Sequence, residues 1–304
     1  MGLLPRGWVQ VAARVTSPVG LEPRQLPKEI RRRRFLHTIG SHAVLIAVSA
    51  AFFLPMVFIL LTSLMTDRQA NTPAIWPHPF QPSNFGDVFS VIPFFRYTFN
   101  TLSVAFLSTA GVLLSSIPVA YALSRMQWRG RQVVFVLVLA TLMLPYQVTV
   151  LPLYVVFVKF HWIPSLKPLI IPSFFGDAFS IFLLRQFFRS IPDELADAAR
   201  VDGASHWQIM TRVIVPLAKP AIAAVGLFNF LYAWNDFFGP LLYVGEDNTS
   251  WTLAIGLSEL KALHHVQWNL TMAASLLFML PVIILFFLAQ RVFIEGVTLT
   301  GTKG

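Results

Sequence analysis

Six stretches of the chain are apolar over lengths that suit a bilayer. Residues 43–64 hold no ionisable side chain, and none lies between Arg96 and Arg125 or between Arg131 and Lys159. A shorter stretch near 168–188 contains Asp177, one near 220–245 contains Asp236, and one near 270–290 contains no charge. A helix needs about 20 mostly apolar residues to cross a hydrocarbon core of ~30 Å. Leu, Ile, Val, Phe and Ala fill all six without a two-residue alternation, which predicts helices and excludes barrel strands. The pattern therefore predicts an all-α, polytopic membrane protein. Its six transmembrane helices are placed near 43–64, 98–124, 132–158, 168–188, 220–245 and 270–290.

Composition agrees. Of 304 residues, 56% are hydrophobic and 12% charged, against about 25% charged in soluble domains. The net charge of +9 raises nucleic acid or anionic lipid as partner, and position decides between them. Of the 23 Lys and Arg, 18 fall in the N-terminal segment, the second and fourth connections and the C-terminal tail, and five fall on the opposite side. That asymmetry predicts that both termini lie in the cytoplasm. The run Arg31–Arg34 ends nine residues before the first span, so it reads as an anchor for that span and not as a nucleic-acid patch. Residues 1–42 are expected to form a basic leader ahead of a transmembrane domain, 43–304. The first span exceeds the 7–15 apolar residues of a signal peptide and is read as uncleaved. Pro55, Pro118, Pro145, Pro152, Pro240 and Pro281 lie within spans, where each removes a backbone bond and predicts a kink.

No catalytic pattern stands out. There is no GxxxxGK[ST] phosphate loop, no HExxH and no GxSxG, so neither nucleotide hydrolysis nor hydrolase chemistry is expected of this chain. Cysteine is absent. Adjacent His264 and His265 do not converge on one metal, since a zinc site needs three or four ligands. No cofactor is expected.

The most informative segment is the connection 190–219. Ser190, with Asp193 three residues on, is a plausible N-cap, and Pro192 fits a first helical turn. Ile191, Leu195, Ala198 and Ala199 share one small apolar face. Gly203 suits the left-handed conformation that ends a helix. Ser205 and Gln208 repeat a capping-box spacing, and Pro216 and Pro220 are expected to stop the second helix. This helix–Gly–helix elbow is far longer than the 2–8 residues that usually join packed helices, so it is expected to dock onto something.

Asp197-Ala198-Ala199, Gly203 four residues later, and Val213-Ile214-Val215-Pro216 together resemble the EAA loop of binding-protein-dependent ABC importer permeases. That loop runs Glu-Ala-Ala, three residues, Gly, nine residues, Ile-x-Leu-Pro. Phe182 to Phe188, Asp202-Gly203-Ala204, Trp234-Asn235-Asp236-Phe237 and the end Gly301-Thr302-Lys303-Gly304 are similar to the sugar-transporter branch, in particular its MalG-type subunits. The resemblance covers about residues 40–304. It implies a type I permease-like fold and an ATPase-coupling role for Asp197, Ala198, Ala199, Asp202, Gly203, Ala204 and Pro216. It also implies a second homologous permease subunit, a cytoplasmic ATPase dimer carrying ATP and magnesium, an extracellular or periplasmic binding protein, and a sugar as cargo.

The main rival is an ion-coupled secondary transporter, which would need buried carboxylates. Asp177, after Gly176 and before a helical run, reads as an N-cap. Asn235 and Asp236 are candidates for the pathway or for a helix interface. A permease for a non-sugar polar solute, such as a glycerophosphodiester, stays open, as does a receptor or scaffold.

Overall fold

The structure is a computed structural model that describes residues 28–262 and 266–301. The leader up to Pro27, His264–His265 and the end from Thr302 lie outside the described residues. Among those described there is no strand. The chain divides into two units, Met1–Val57 and Phe58–Gly304. Helix α1 (Lys28–Ser63) carries the first span at Thr38–Ser63. In the larger unit, two short helices, α2 (Asp67–Ala70) and α3 (Asn84–Val91), lead into α4 (Phe94–Arg125). At 32 residues and 1.5 Å per residue, α4 reaches about 48 Å, which is more than the hydrocarbon needs.

The third span is not one helix. Sequence periodicity alone expects 132–158 to run through; instead α5 (Arg131–Leu142) and α6 (Tyr146–Lys159) meet at 96°. Pro145 carries φ −62° and ψ 136°, supplies no N–H and disfavours helical geometry at the residue before it. A kink thereby becomes a break.

The fourth span is assembled from a short helix α7 (Lys167–Ile170), a 3-10 turn (Ile171–Phe175) and α8 (Ala178–Ser190). Gly176, at φ +100° and ψ 146°, makes the join in an extended positive-φ conformation that costs other residues about 1–3 kcal/mol.

The elbow comprises α9 (Asp193–Val201), α10 (His206–Ile209), a π turn (Met210–Ile214) and α11 (Val215–Leu217). The fifth span, α12 (Lys219–Asn235), ends ten residues earlier than its apolar run, and α13 (Phe238–Val244) resumes after a corner at Asp236. Then come α14 (Leu253–Ala262) and α15 (Trp268–Gly301), which holds the last span at Trp268–Gln290. Among the described residues, four helical segments are long and apolar enough to cross a bilayer, and counting each of two bent pairs as one span gives up to six.

Two cores occupy opposite ends of α4. One joins Val112, Ala120 and Tyr121 to Leu184, Phe188 and the elbow's Ala196, Ile209 and Ile214. The other joins Tyr97 and Ala105 to Trp234, Leu253 and Ala273. At that second end Asn100 donates to the carbonyl oxygens of Thr249 and Trp251, both at 2.9 Å. There too Asn84 donates to Ser63 O and Met65 O at 2.8 Å and accepts from Asn269 at 3.1 Å. Gln127 therefore lies with the elbow, whereas Ser83 and Asn248 lie at the far end.

Gly111 shows how closely the helices pack. A Cβ there would sit 2.7 Å from Phe174 Cδ2, so glycine lets α4 meet the 3-10 turn of the fourth span.

Candidate functional site

The elbow begins two residues later than its capping signals imply. Ser190 ends α8 and returns its hydroxyl to Phe187 O at 2.7 Å, while Pro192, at φ −56° and ψ 138°, stands at the N-cap of α9. Ile191 consequently lies off the helix. The apolar face expected from Ile191, Leu195, Ala198 and Ala199 divides in two. Ile191 and Ala196 are buried and Ala199 is half-buried, facing the core; Leu195 and Ala198 are exposed. With Leu195 at 45%, Val201 at 88% and Trp207 at 67% exposure, the elbow's outer edge is apolar and uncovered by its own chain.

The spacing of the Ala-Ala-x-x-x-Gly-Ala segment has a backbone cause. Gly203 adopts φ +80°. Gly203 N–H donates to Arg200 O at 3.0 Å and Ala204 N–H to Ala199 O at 2.9 Å, the paired bonds of a Schellman ending with glycine at the left-handed position. Ala199 supplies the outer carbonyl, so glycine must follow four residues after it. Asp202 is the C-cap, donating its N–H to Ala198 O at 3.1 Å. Asp197 pairs with Arg200 on the exposed side of α9.

The second half restarts with a reciprocal capping box. Gln208 N–H donates to Ser205 Oγ at 3.3 Å and Ser205 N–H to Gln208 Oε1 at 2.8 Å. Pro216 does not stop this helix. Val215 N–H reaches back five residues to Met210 O, and this π turn widens the helix just ahead of the residue that has no N–H to give. The stop falls at Ala218, after which α12 departs at 79°.

Two arginines that sequence reasoning counts only as positive-inside charges anchor the elbow. Arg125, at the end of α4 and 8% exposed, binds the Asp193 carboxylate and donates to Phe188 O and Ile191 O. It thus clamps the corner between α8 and α9. Arg185, 4% exposed, donates Nε–H to Leu123 O at 3.1 Å and lies 3.7 Å above the Phe135 ring, tying α8 to α4 and α5. Only the tertiary fold distinguishes these from the other basic residues.

The intramembrane carboxylates serve helix starts. Asp177 Oδ2 accepts from Ser180 N–H at 2.7 Å and caps α8. Asp236 Oδ1 accepts from Gly239 N–H at 3.1 Å, at the start of α13. Asn235 is exposed and turns its amide back to Leu231 O at 2.7 Å. A cavity of about 550 Å³ opens between α8 and α12, lined by Asp177, Phe179, Ser180, Phe228, Asn229 and Tyr232 among others. Asn235 and Asp236 are not among its lining residues.

Residues 109–298 match the family described as binding-protein-dependent transport system inner membrane component. The arabinooligosaccharides transport system permease protein AraQ of Bacillus subtilis (strain 168) is 36% identical over 211 residues, covering 69% of this chain and 74% of that one. The sn-glycerol-3-phosphate transport system permease protein UgpE of Salmonella typhimurium is 32% identical over 277 residues, covering 88% and 98%. A solved bacterial ABC transporter involved in the import of the acidic polysaccharide alginate superposes with a TM-score of 0.73 over 86% of this chain and 97% of its own, at 23% identity. That likeness establishes the helical fold. The family match over 109–298, together with relatives above 30% identity along most of the chain, shows that the protein belongs to the inner membrane components of binding-protein-dependent transport systems, the permease subunits of ABC importers.

Proposed function

We propose that this chain forms half of the translocation pathway of an ATP-driven importer for a sugar or oligosaccharide and is driven through its elbow. The observation that carries the coupling is the two-sided elbow. Arg125 and the Ala196–Ile209–Ile214 face fix it to the membrane helices, and Leu195, Ala198, Val201 and Trp207 stand exposed on its outer edge. A rigid body held on one side and apolar on the other transmits a push. The cytoplasmic ATPase dimer, which holds ATP and magnesium, docks on this edge and on the equivalent one of a second permease subunit. Asp197, Ala198, Ala199, Asp202, Gly203, Ala204 and Pro216 set the elbow's shape and charge, and the side of α4 bearing Gln127 faces the cytoplasm.

The cargo assignment rests on relatives. Arabinooligosaccharides are named for AraQ, and a periplasmic protein carrying an alginate pentasaccharide is part of a second similar complex, at TM-score 0.60 and 20% identity. The cavity between α8 and α12 offers Phe179, Phe228 and Tyr232 beside Asp177 and Asn229, a mixture of aromatic faces and polar groups that suits a sugar. Asp236 and Asn235 sit beyond it as helix-end groups at the interface with α13. Glycerol-3-phosphate is the named cargo of UgpE, so a phosphorylated polyol is the alternative cargo. The test is reconstitution with the two partner subunits and the binding protein, followed by uptake of labelled arabinooligosaccharide and glycerol-3-phosphate. ATP-dependent accumulation of the first supports the proposal; uptake driven by an ion gradient without ATP overturns it.

A further inference from the structure

Between the end of α4 and the first elbow helix lies a second, strongly polar cavity of about 380 Å³. Arg125, Arg131, Arg189 and Arg200 face Asp193 and Asp197 across it. Both carboxylates are already committed, Asp193 to Arg125 and Asp197 to Arg200. Arg131 gives one N–H to Met126 O at 2.9 Å, and exposed Arg189 has no hydrogen-bond or ion-pair partner among the described residues. Arg125, more than nine-tenths buried, keeps its Nε–H without an acceptor. Cationic donors exceed anionic acceptors, and guanidinium forks match the oxygens of a phosphate better than any other side chain does.

The cavity continues toward the bilayer. A neighbouring groove of about 420 Å³ shares Gln127 and Arg131 with it and adds Trp128 and Val133. From there α5 presents exposed Val133, Val136 and Leu137. Trp128, 40% exposed, has the amphipathic ring that settles at headgroup level. Basic pockets between membrane helices on the cytoplasmic side suit anionic headgroups.

We propose that the Arg125–Arg131–Arg189 cavity binds the phosphodiester of an anionic phospholipid, whose chain lies along Val133 and Leu137. The proposal rests on the cytoplasmic placement of the elbow argued above. A bound headgroup would join α4 and α5 to the end of α8 at the coupling corner. Inorganic phosphate shares the recognition chemistry but has nothing to cover the α5 edge.

The experiment is native mass spectrometry of the full chain from mixed micelles containing phosphatidylglycerol and phosphatidylcholine in equal amounts. The wild type should retain phosphatidylglycerol about fivefold over phosphatidylcholine, the scale expected of one basic residue at an anionic surface. Arg189→Gln, exposed and unpaired, should bring the ratio close to one, and Arg131→Gln should do the same. If Arg131→Gln fails to fold, Arg189→Gln decides alone. Equal retention of both lipids by the wild type, or an unchanged preference in Arg189→Gln, overturns the proposal. Displacement of lipid by millimolar inorganic phosphate would assign the cavity to a free anion, and displacement by the partner ATPase would assign it to a protein contact; either overturns the lipid site. Micelles have no sides, so a negative result sinks the lipid site without touching orientation, which external labelling of a cysteine at Gln127 tests separately.

Discussion

The Tyr121 hydroxyl, one turn from the end of α4, meets Nδ1 of His206, the first residue of α10, at 3.3 Å. His206 is exposed, and its solvated position alone gives no hint of this bond, which links the second span to the elbow directly. Tyr121→Phe keeps the ring and removes the hydroxyl, at a cost of about 0.5–1.5 kcal/mol for one hydrogen bond. His206→Ala should cost a similar amount, and the double variant little more than either. A thermal double-mutant cycle on purified protein checks this; full additivity would show that the two side chains do not interact.

Arg125 is the more serious loss. Arg125→Gln leaves Phe188 O, Ile191 O and Asp193 short of a charged donor, and bonds to charged groups contribute about 1.5–3 kcal/mol each. Asp193→Asn should be mild, because Asp193 is 84% exposed. Melting temperatures should therefore fall steeply for the first and hardly at all for the second, with ATPase co-purification following the same order.

At Gly203 the cost is in the backbone alone. A Cβ there meets nothing within 4 Å in this chain, so alanine has room and its penalty is conformational. Gly203→Val and Gly203→Ala should both lose about 1–2 kcal/mol to the positive φ, and Gly203→Asn less. The readout is uptake per ATP hydrolysed in proteoliposomes, where alanine as harmful as valine identifies φ as the cause.

Gly239 and Asp236 form a matched pair. A Cβ on Gly239 would lie 2.4 Å from Asp236 Oδ2 and 3.0 Å from Leu169 Cδ2. Gly239→Ala must displace the carboxylate from its N–H. Asp236→Asn keeps an acceptor oxygen and should express near wild-type level, whereas Asp236→Leu and Gly239→Ala should each lower complex yield. Equal yields for all three would show that the cap contributes nothing.

Orientation has its own test. Single cysteines at Gln127 should be shielded from an impermeant thiol reagent applied outside, and those at Ser83 and Asn248 should label. Labelling only at Gln127 would invert the assignment.

Apolar run length made the helical class legible, and four of the apolar runs coincide with helices long enough to span. The Gly203 turn and the Ser205–Gln208 box were equally readable, because both are local: a few consecutive residues contain all the partners. The breaks were less so. Pro145 announces a disturbance but not its 96° size, which depends on what packs around it. The corner at Asp236 lies inside an unbroken apolar run with nothing local to mark it. Arg125 was invisible as a clamp, since its partners Phe188, Ile191 and Asp193 lie more than 60 residues away. Likewise the face was read with Ile191 on the helix, but α9 starts at Asp193; Ile191 points inward from the extended corner, and Ala196 faces the core where Leu195 and Ala198 were expected.

The π turn at Met210–Ile214 gives the elbow slack in length. Each residue turns an α-helix by about 100°, and a π turn accommodates one extra residue without passing that rotation on. Deleting a single residue there would restore ordinary winding and leave the edge bearing Leu195 and Val201 in its present direction, whereas a deletion from an ordinary α-helical turn would swing that edge by about 100°. Substitutions that leave the count intact would keep the edge pointing where it does. Within this segment the aim of the docking edge survives the loss of one residue, which a plain helix would not allow.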